Sequence, residues 1–323
     1  MPGQRREVVC MGEAMLRLGP PYDTALENSH KFMAMPGGAE LNTATALAAL
    51  GVPVAWISAL PNNPLGRFIA NAARRHGVDT SDVVFLPDYR LGIYFVEYLR
   101  SHRKSSVFYD RQQSAINYVE SDAVNWQRFQ TARLVHLSGI TPALSAHCLE
   151  LTQRAISTAK SGGAQVSFDV NYRSKLWMPE QARKCLEPLL ADCDIIFASA
   201  GDMADIFGIT GEPEAVAEAA AQRYSAQVVA ITLGGRGSLA YDGQFHYWPG
   251  RTAPEIDRFG AGDAFDAGLL YGILQNNLDL GMRYAGAMAC LKHTMRGYLY
   301  CGGRDEVEFA AARLLGAQGS VQD

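Results

Sequence analysis

The sequence lacks a long apolar run and lacks an excess of charge of one sign. No segment approaches the ~20 uninterrupted apolar residues that a membrane-spanning helix needs, and residues 1–6 are polar with no apolar stretch behind them. The 29 Lys and Arg residues stand against 33 Asp and Glu residues, which leaves a net charge of −4. We therefore expect no membrane and no nucleic acid among its partners, and a cytoplasmic location.

Paired metal-ligating residues are also missing. The six cysteines are scattered without C-x-x-C spacing, and no two of the seven histidines lie four residues apart. Zinc and redox sites are typically built from such pairs. The sequence therefore predicts reduced thiols and no transition-metal site.

The composition is that of a large globular α/β domain. Of the 323 residues, 48% are hydrophobic and 19% are charged, which is enough apolar material for a sizeable core. Short apolar runs alternate with longer amphipathic segments, and this alternation predicts a mainly parallel sheet that binds ligands at the carboxyl ends of its strands. The predicted strands are residues 7–11, 52–59, 134–138, 165–170, 195–198 and 228–233. The predicted helices are residues 64–76, 142–159, 179–190, 213–224, 261–275, 279–295 and 305–315.

One region interrupts this alternation. Residues 91–99 and 104–109 alternate polar and apolar side chains around a turn, which predicts an antiparallel hairpin that projects from the sheet. The hairpin carries Tyr94 and Tyr109, and a lone two-stranded ribbon is barely stable in water. We expect it to be either a lid over a site or a contact between subunits.

The most distinctive segment lies between Asp257 and Gly268. Its small residues Gly260, Ala261 and Gly262 open a helix, so unpaired N–H groups and the positive helix end face one point that suits an anion. Asp263 in the first turn can then accept a proton from an incoming hydroxyl while the amides hold a phosphoryl group. Alternatively, Asp263 only complements the helix dipole. The segment alone leaves both interpretations open.

A second glycine-rich turn, residues 232–238, follows a predicted strand. Thr232, Gly234 and Gly237 can bind phosphate through a hydroxyl and backbone amides. The turn is not a P-loop, because the chain contains no Gly-Lys-Ser/Thr. Hairpin-like residues follow it instead of a helix, which argues against a dinucleotide fold and a nicotinamide-dependent oxidoreductase.

Residues suited to a small polar ligand lie elsewhere. Gly37 and Gly38 permit close backbone approach, and Asn42 offers both a donor and an acceptor, although simple helix capping is an alternative. Arg111 follows the hairpin and Arg173 follows the strand at 165–170. Either arginine suits a carboxylate or a phosphate through forked hydrogen bonds, with a solvated salt bridge as the alternative.

Four motifs, in this order, resemble those of the ribokinase-like (PfkB) carbohydrate kinases. They are Gly37-Gly38-Ala39-x-x-Asn42, Asp169-x-Asn171-x-Arg173-x-x-Leu176-Trp177, Thr232-Leu233-Gly234-x-x-Gly237 and Asp257-x-x-Gly260-Ala261-Gly262-Asp263-x-Phe265. The resemblance spans nearly the whole chain. Within the family the sequence is most similar to 2-keto-3-deoxygluconate kinases, through the segments 12–18, Tyr94-Phe95, Tyr109-x-Arg111-x-x-Ser114-Ala115 and 169–173.

The resemblance implies a three-layer α/β/α domain over residues 1–323, with a mainly parallel central sheet and a small β lid that includes about residues 12–36 and 91–111. It implies ATP with Mg²⁺, a sugar between lid and sheet, Asp263 as the base, and Gly260, Ala261 and Gly262 as the anion hole. The implied substrate contacts are Gly37, Gly38, Asn42, Tyr94, Tyr109, Arg111, Arg173 and Asp263. The implied ATP contacts are Ser199, Thr232, Gly234, Gly237, Gly260 and Gly262. Asp257 is expected to help bind a monovalent cation such as K⁺, and the lid hairpin to join subunits of a homo-oligomer.

Three positions depart from the family pattern. Arg17 stands where many members carry an Asp that holds sugar hydroxyls, and a cation there suits an acid sugar better than fructose. The Asn-x-x-Glu motif associated with Mg²⁺ and phosphate appears as Ser199-Ala200-Gly201-Asp202, which keeps an acid but loses the amide. Arg258-Phe259 replaces a Thr-Thr pair, so the cation site is expected to rest mainly on backbone groups.

These observations predict an ATP-dependent kinase that phosphorylates the 6-OH of 2-keto-3-deoxygluconate. A neutral-sugar kinase, such as a fructokinase or tagatose kinase, is the near alternative, and Arg17, Arg111 and Arg173 together argue against it. A non-catalytic sugar-binding regulator with the same fold is the alternative of another class. A pure binder has no need for a carboxylate such as Asp263 beside developing negative charge.

Overall fold

The computed structural model describes residues 8–21, 24–97, 106–250 and 255–316. Within these residues the strands are β1 (Val8–Met11), β2 (Met15–Gly19), β3 (Met33–Gly37), β4 (Val54–Ile57), β5 (Ala59–Pro61), β6 (Val84–Leu86), β7 (Gly92–Glu97), β8 (Ser106–Asp110), β9 (Leu134–Ser138), β10 (Gln165–Asp169), β11 (Ile195–Ser199), β12 (Val228–Thr232), β13 (Gly237–Tyr241) and β14 (Phe245–Pro249). The helices are α1 (Ala39–Ala49), α2 (Pro64–Arg75), α3 (Trp126–Thr131), α4 (Ala146–Ser161), α5 (Pro179–Leu190), α6 (Ala200–Phe207), α7 (Pro213–Tyr224), α8 (Ala261–Leu274), α9 (Leu278–His293) and α10 (Arg304–Gly316).

The central sheet has eight strands in the order β14-β13-β12-β11-β10-β9-β1-β4. The six strands from β12 to β4 are parallel, and β13 and β14 continue one edge antiparallel. Successive residues of β1 face opposite sides of the sheet. Val8 and Cys10 pack in a core with α1, α2, α8, α9 and α10, whereas Val9 and Met11 pack with α3 to α7. Helices therefore cover both faces, which confirms the three-layer α/β/α prediction.

A second sheet of four strands, here called the lid sheet, has the order β3-β2-β7-β8. β2 is antiparallel to β3 and parallel to β7, and β7 pairs antiparallel with β8 in a register that places Tyr94 opposite Tyr109. The predicted hairpin is therefore confirmed as an antiparallel pair, and its turn lies outside the described residues. Two further strands, β2 and β3, give this ribbon the support that it needs.

Several predicted boundaries were wrong. The strand expected over 52–59 stops at Ile57, because Ala59–Pro61 pairs separately with β6. The helix expected from residue 142 begins at Ala146, since the Ser145 hydroxyl accepts a hydrogen bond from the Cys148 N–H at 3.2 Å and caps it there. Residue 7 of the first predicted strand lies outside the described residues. No helix in the described ranges is long and apolar enough to cross a bilayer.

Candidate active site

The site lies where the lid sheet faces the carboxyl ends of the parallel strands. A cavity of ≈ 70 Å³, here called the lid cavity, lies between the two and shares four lining residues with an outer cleft of ≈ 1230 Å³. The residues that line both are Tyr109, Arg111, Arg173 and Phe259. Small polar ligands are typically bound in such a recess at this edge of an α/β sheet.

The start of α8 is built around Gly260. Gly260 has a φ of 87°, and a Cβ there would lie 2.5 Å from both the Asn42 side-chain nitrogen and the Tyr298 carbonyl oxygen. Only glycine accepts this conformation in this space. The chain can therefore turn sharply into α8, which leaves first-turn N–H groups at the helix end without intrahelical acceptors. This geometry suits a phosphoryl group.

Asp263 lies in the first turn of α8 and is only 4% exposed. Its Oδ2 accepts a hydrogen bond from Asn42 Nδ2 at 3.0 Å, and its carboxylate is also hydrogen-bonded by Tyr298, which lines the lid cavity. Burial raises the pKa of the Asp263 carboxyl above its usual value, and the hydrogen bonds together with the positive charges of Arg173 and Lys292 offset only part of this effect. A carboxylate of this kind accepts a proton more readily than a free aspartate does.

The structure places Asn42 away from the lid cavity, although we had expected it to contact substrate. Asn42 is fully buried, and its Nδ2 donates to Gly260 O and Asp263 Oδ2, each at 3.0 Å. Its Oδ1 accepts from the Tyr300 N–H at 2.9 Å. The amide thus makes three contacts inside the protein. It fixes the start of α8 and the orientation of the Asp263 carboxylate.

Gly37, Gly38, Tyr94 and Tyr109 do line the lid cavity. A Cβ on Gly37 would lie 2.3 Å from Tyr94 Oη, so a larger residue would displace the tyrosine. Tyr94 stacks on Tyr109 with 5.8 Å between ring centroids, and its hydroxyl has no hydrogen-bond partner in the described part of the chain. An unpaired buried hydroxyl is costly unless a ligand satisfies it.

Arg111 and Arg173 both reach the cavity, but their charges are balanced differently. Arg111 is 9% exposed and forms a buried ion pair with Glu13, which also accepts a hydrogen bond from Ser114 Oγ at 2.5 Å. Arg173 is exposed and forms no salt bridge within the described ranges. Arg173 is therefore the cation available to a ligand.

The turn after β10 sets the position of Arg173. Asn171 has a φ of 41°, a left-handed conformation that asparagine tolerates better than most residues. The Asn171 N–H and Nδ2 hold the two Asp169 oxygens at 3.1 and 2.7 Å. This local bracing turns the chain from the strand toward the lid cavity, where Arg173 lies in the lining.

The expected role of Arg17 in binding an acid sugar was wrong. Arg17 Nη1 lies 2.8 Å from Asp257 Oδ2, and both side chains are buried. Arg17 lines a different small cavity of ≈ 20 Å³ together with Asp257, and the lid cavity lining does not include it. The Asp257 carboxylate balances the charge of Arg17, so Arg17 is not free to pair with a substrate.

The residues around Asp257 do not fit a bound monovalent cation. Asp257 Oδ1 accepts from the Phe259 N–H at 3.2 Å. Asp257 Oδ2 accepts from the Gly297 N–H at 3.2 Å and faces the Arg17 guanidinium. Both carboxylate oxygens are therefore engaged by donors, and a K⁺ ion would compete with a fixed positive charge. These contacts argue against the expectation that Asp257 binds K⁺.

A second cavity, of ≈ 250 Å³, is lined in part by the first turns of α8 and is here called the Thr232 cavity. Its lining includes four of the residues predicted to contact ATP, namely Thr232, Gly234, Gly237 and Gly262. Trp248 and His293 also line it. Ala261 and Gly262 of the α8 start line this cavity too, two residues or fewer from Asp263.

Ser199, also predicted to contact ATP, caps α6 and does not line the Thr232 cavity. Its hydroxyl accepts from the Asp202 N–H at 2.9 Å. In the described part of the chain no group of three or more His, Cys, Asp or Glu side chains is placed to hold a metal ion.

Sequence reasoning missed Tyr298 and gave no separate role to Glu13. Tyr298 lies in the loop after α9, where no repeat, spacing or glycine pattern marks it. Glu13 adjoins the first strand, and only the fold brings it to Arg111, 98 residues further along the chain. Neither contact leaves a local signal in the sequence.

Comparison with known proteins agrees with this geometry. The model of the pfkB family of carbohydrate kinases matches residues 5–299. The chain belongs to this family. It is therefore a phosphotransferase that acts on a sugar hydroxyl. The family membership predicted from the four motifs is confirmed.

Individual relatives of this kinase differ in the sugars that they are named for. It is 35% identical over 304 residues to the 2-dehydro-3-deoxygalactonokinase of Haloferax volcanii, covering 94% of this chain and 95% of that protein. It is 29% identical over 308 residues to Fructokinase-1 of Zea mays, covering 92% and 94%. The crystal structure of 2-dehydro-3-deoxygluconokinase from Thermotoga maritima has a TM-score of 0.91 and 34% identity, covering 96% of this chain and 99% of that one.

Proposed function

We propose that this kinase transfers the γ-phosphoryl group of ATP to the 6-OH of 2-keto-3-deoxygluconate. The observation that carries the proposal is Arg173, which forms no salt bridge in the described part of the chain and lines a cavity together with Tyr298, a hydrogen-bond partner of the Asp263 carboxylate. A keto-deoxy sugar acid has a carboxylate at one end and a primary hydroxyl at the other. Arg173 suits the first group and Asp263 the second.

The residues of the chain divide the work of phosphoryl transfer between them. Asp263 accepts the proton of the 6-OH, and the first-turn amides at Gly260, Ala261 and Gly262 stabilise the charge on the transferred group. Thr232, Gly234 and Gly237 hold the nucleotide. Mg²⁺, bound with ATP, neutralises charge on its phosphates. Phosphoryl transfer depends mostly on positioning and charge, so a moderately basic carboxylate is sufficient.

The galacto epimer of this acid is a second candidate substrate. The Haloferax volcanii relative, at 35% identity, is named for it. The two epimers share the carboxylate and the 6-OH, so the contacts at Arg173 and Asp263 serve both. A neutral ketose lacks the carboxylate and would leave Arg173 without a partner in the closed site.

A screen of substrates tests this proposal directly. The purified enzyme is given Mg-ATP with each of 2-keto-3-deoxygluconate, its galacto epimer, gluconate, fructose and ribose, and ADP release is measured. We expect kcat/KM to be largest for one of the two keto-deoxy acids. A larger kcat/KM for fructose or ribose would overturn the acid-sugar assignment. ATP turnover with none of the sugars would favour a sugar-binding regulator.

The lid sheet also presents apolar side chains to solvent. Phe32 and Phe108 are 43% and 53% exposed, and Phe32 packs edge-on against Phe95 with 6.2 Å between ring centroids. Exposed aromatic edges of this kind favour association. We propose that two copies of the chain pair through their lid sheets. Light scattering at micromolar concentration tests this, and a purely monomeric mass would contradict it.

A further inference from the structure

Lys292 has no part in the proposed transfer, yet it is one of the largest fully buried side chains in the described core. It lies in the last turn of α9, and lysines at helix ends ordinarily extend their ammonium groups into water. Its Nζ instead donates to the Gly297 carbonyl oxygen at 2.7 Å and lies 3.4 Å from the Met295 carbonyl oxygen. Burying an ammonium group is expensive, and capping a helix does not require it.

The surroundings of Lys292 are those of a cation site. Two backbone carbonyls take its ammonium group, and Asp257 is the carboxylate whose charge acts on it most strongly. The N–H of Gly297, the residue whose carbonyl accepts from Lys292, donates to Asp257 Oδ2 at 3.2 Å. Carbonyl oxygens beside a carboxylate are the ligands that a hard cation prefers.

This buried charge adjoins the anion-binding end of α8. A Cβ on Gly260 would lie only 3.2 Å from Lys292 Cε, so the lysine stem packs directly behind that turn. Arg17 supplies a second fixed positive charge, 2.8 Å from Asp257 Oδ2. The carboxylate at which K⁺ was expected thus pairs directly with Arg17 and is linked to Lys292 through Gly297, whose N–H donates to Asp257 and whose carbonyl oxygen accepts from Lys292.

We propose that the Lys292 ammonium group, together with the Arg17 guanidinium, takes the place of a monovalent metal cation behind the start of α8, so that catalysis does not need K⁺. A permanently attached charge holds the loop at Asp257, the loop at Gly297 and the first turn of α8 together. Lys292 is a positioning residue, because it contacts carbonyl oxygens and the Gly260 turn but not the reacting atoms. The inference rests on the proposed kinase function only for its activity readout.

The first test uses the unmodified enzyme. Initial rates with Mg-ATP and 2-keto-3-deoxygluconate are measured in choline chloride and after exchange of roughly 0.1 M of it for KCl at constant ionic strength. We expect less than about a twofold change in kcat. Saturable activation by K⁺ that exceeds this range would overturn the proposal.

Two variants separate the charge of Lys292 from its volume. Lys292→Ala leaves space for an ion, and we expect kcat in choline to fall by about 10- to 100-fold, with a smaller change in the sugar KM. Added NH₄⁺ or K⁺ should restore several-fold of the loss. Lys292→Met fills the space without charge and should not be rescued. If neither NH₄⁺ nor K⁺ restores activity to a folded Lys292→Ala enzyme, the proposal is contradicted.

Lys160 provides the matched control. It pairs with Asp194 at 2.7 Å near the amino ends of β10 and β11, away from the site. Lys160→Ala makes the same chemical change, and its rate should not respond to K⁺.

Binding of Tl⁺, followed by ²⁰⁵Tl NMR, gives a readout that needs no turnover. The unmodified enzyme should show no saturable Tl⁺ site, and Lys292→Ala should show one. A saturable site in the unmodified enzyme overturns the inference whatever its substrate is. If no sugar supports turnover but unmodified protein binds no Tl⁺, the proposed function fails while this inference stands. The unmodified enzyme also decides the matter if Lys292→Ala does not fold.

Discussion

The lid cavity has two sides whose charges are balanced in different ways. On the lid side, Arg111 after β8 pairs with Glu13, and Arg17 of β2, which lies outside the cavity lining, pairs with Asp257. On the sheet side, Asp263 and Arg173 carry opposite charges but form no salt bridge with each other within the described residues. Buried ion pairs help to define the conformation of a protein, whereas charges that form no ion pair remain available to a ligand. We infer that the lid side shapes the cavity and that the sheet side carries out the chemistry.

The largest effect should follow from Asp263→Asn on the sheet side. The substitution keeps the shape of the side chain but removes the proton acceptor, so we expect kcat to fall by about two to four orders of magnitude with little change in ATP affinity. Steady-state kinetics and ATP titration measure the two quantities. Asp305→Asn, in the exposed first turn of α10, is the matched control and should retain activity. Near-normal turnover by Asp263→Asn would remove this residue from the mechanism.

Arg111→Ala should show that the lid side is structural. It leaves the Glu13 carboxylate buried without its partner, and such a loss costs about 3–5 kcal/mol of the free energy of unfolding. Urea denaturation measures this change. Glu13→Gln in the same background should recover part of it, because the unpaired charge is then removed. If Arg111→Ala unfolds like the unmodified protein, the proposed division between the two sides is wrong.

Arg173→Ala should have the opposite pattern. We expect the KM for the sugar acid to rise by the factor that corresponds to roughly 1.5–3 kcal/mol of lost charged hydrogen bonding. The free energy of unfolding should barely change. For a neutral ketose offered at high concentration, the same variant should raise the KM less, since this substrate has no carboxylate. An equal loss for both sugars would show that Arg173 does not hold a carboxylate.

A buried acid on the sheet side that forms no salt bridge within the described residues should make stability depend on pH. Glu40 is 1% exposed, and its Oε1 accepts hydrogen bonds from the hydroxyls of Ser138 and Thr141, at 2.8 and 2.9 Å. Burial raises the pKa of Glu40 from 4.5 to about 7. The folded state therefore binds a proton that the unfolded state has released between these values, and this contribution to stability is lost as pH rises through 7.

Glu40→Gln should remove that dependence. We expect the unmodified protein to lose about 2 kcal/mol in the free energy of unfolding between pH 5 and pH 8 through this group, and the variant to show a flatter profile. Urea midpoints across this range measure the difference. Glu218→Gln, on the exposed face of α7, is the control and should keep the slope. Identical slopes in the Glu40 variant and the unmodified protein would contradict the assignment.

The sequence was sufficient for the fold because its signals are local and repeated. Apolar runs of strand length predicted the parallel strands, and residues such as Pro179 and Pro213 marked helix starts that the structure reproduces. The edge strands β13 and β14 were indicated only as hairpin-like residues, without bounds, since residues 237–249 mix polar and aromatic side chains around a turn. Whether a buried run is followed by a helix or a hairpin depends on what packs against it.

The site was predictable only in part, because residue type does not reveal ionic state. Arg17, Arg111 and Arg173 appear equivalent in the sequence, and the structure separates them by the partners that folding brings to each. Asn42 shows the same limit. Its motif marked it as important, but its contacts with Gly260, Asp263 and Tyr300 join positions more than 200 residues away along the chain.

The unequal attachment of the lid sheet determines where the cleft can open. At β2, opening would separate the buried pair of Arg17 and Asp257, which costs several kcal/mol. At β8, the Lys175 Nζ donates to the Val107 carbonyl oxygen at 2.5 Å in an exposed position, and losing such a bond costs about 0.5–1.5 kcal/mol. We therefore expect the lid sheet to stay attached along β2 and at Arg111, which pairs with Glu13, and a sugar to enter beside the Val107 end of β8, where the Lys175 hydrogen bond is the weaker contact.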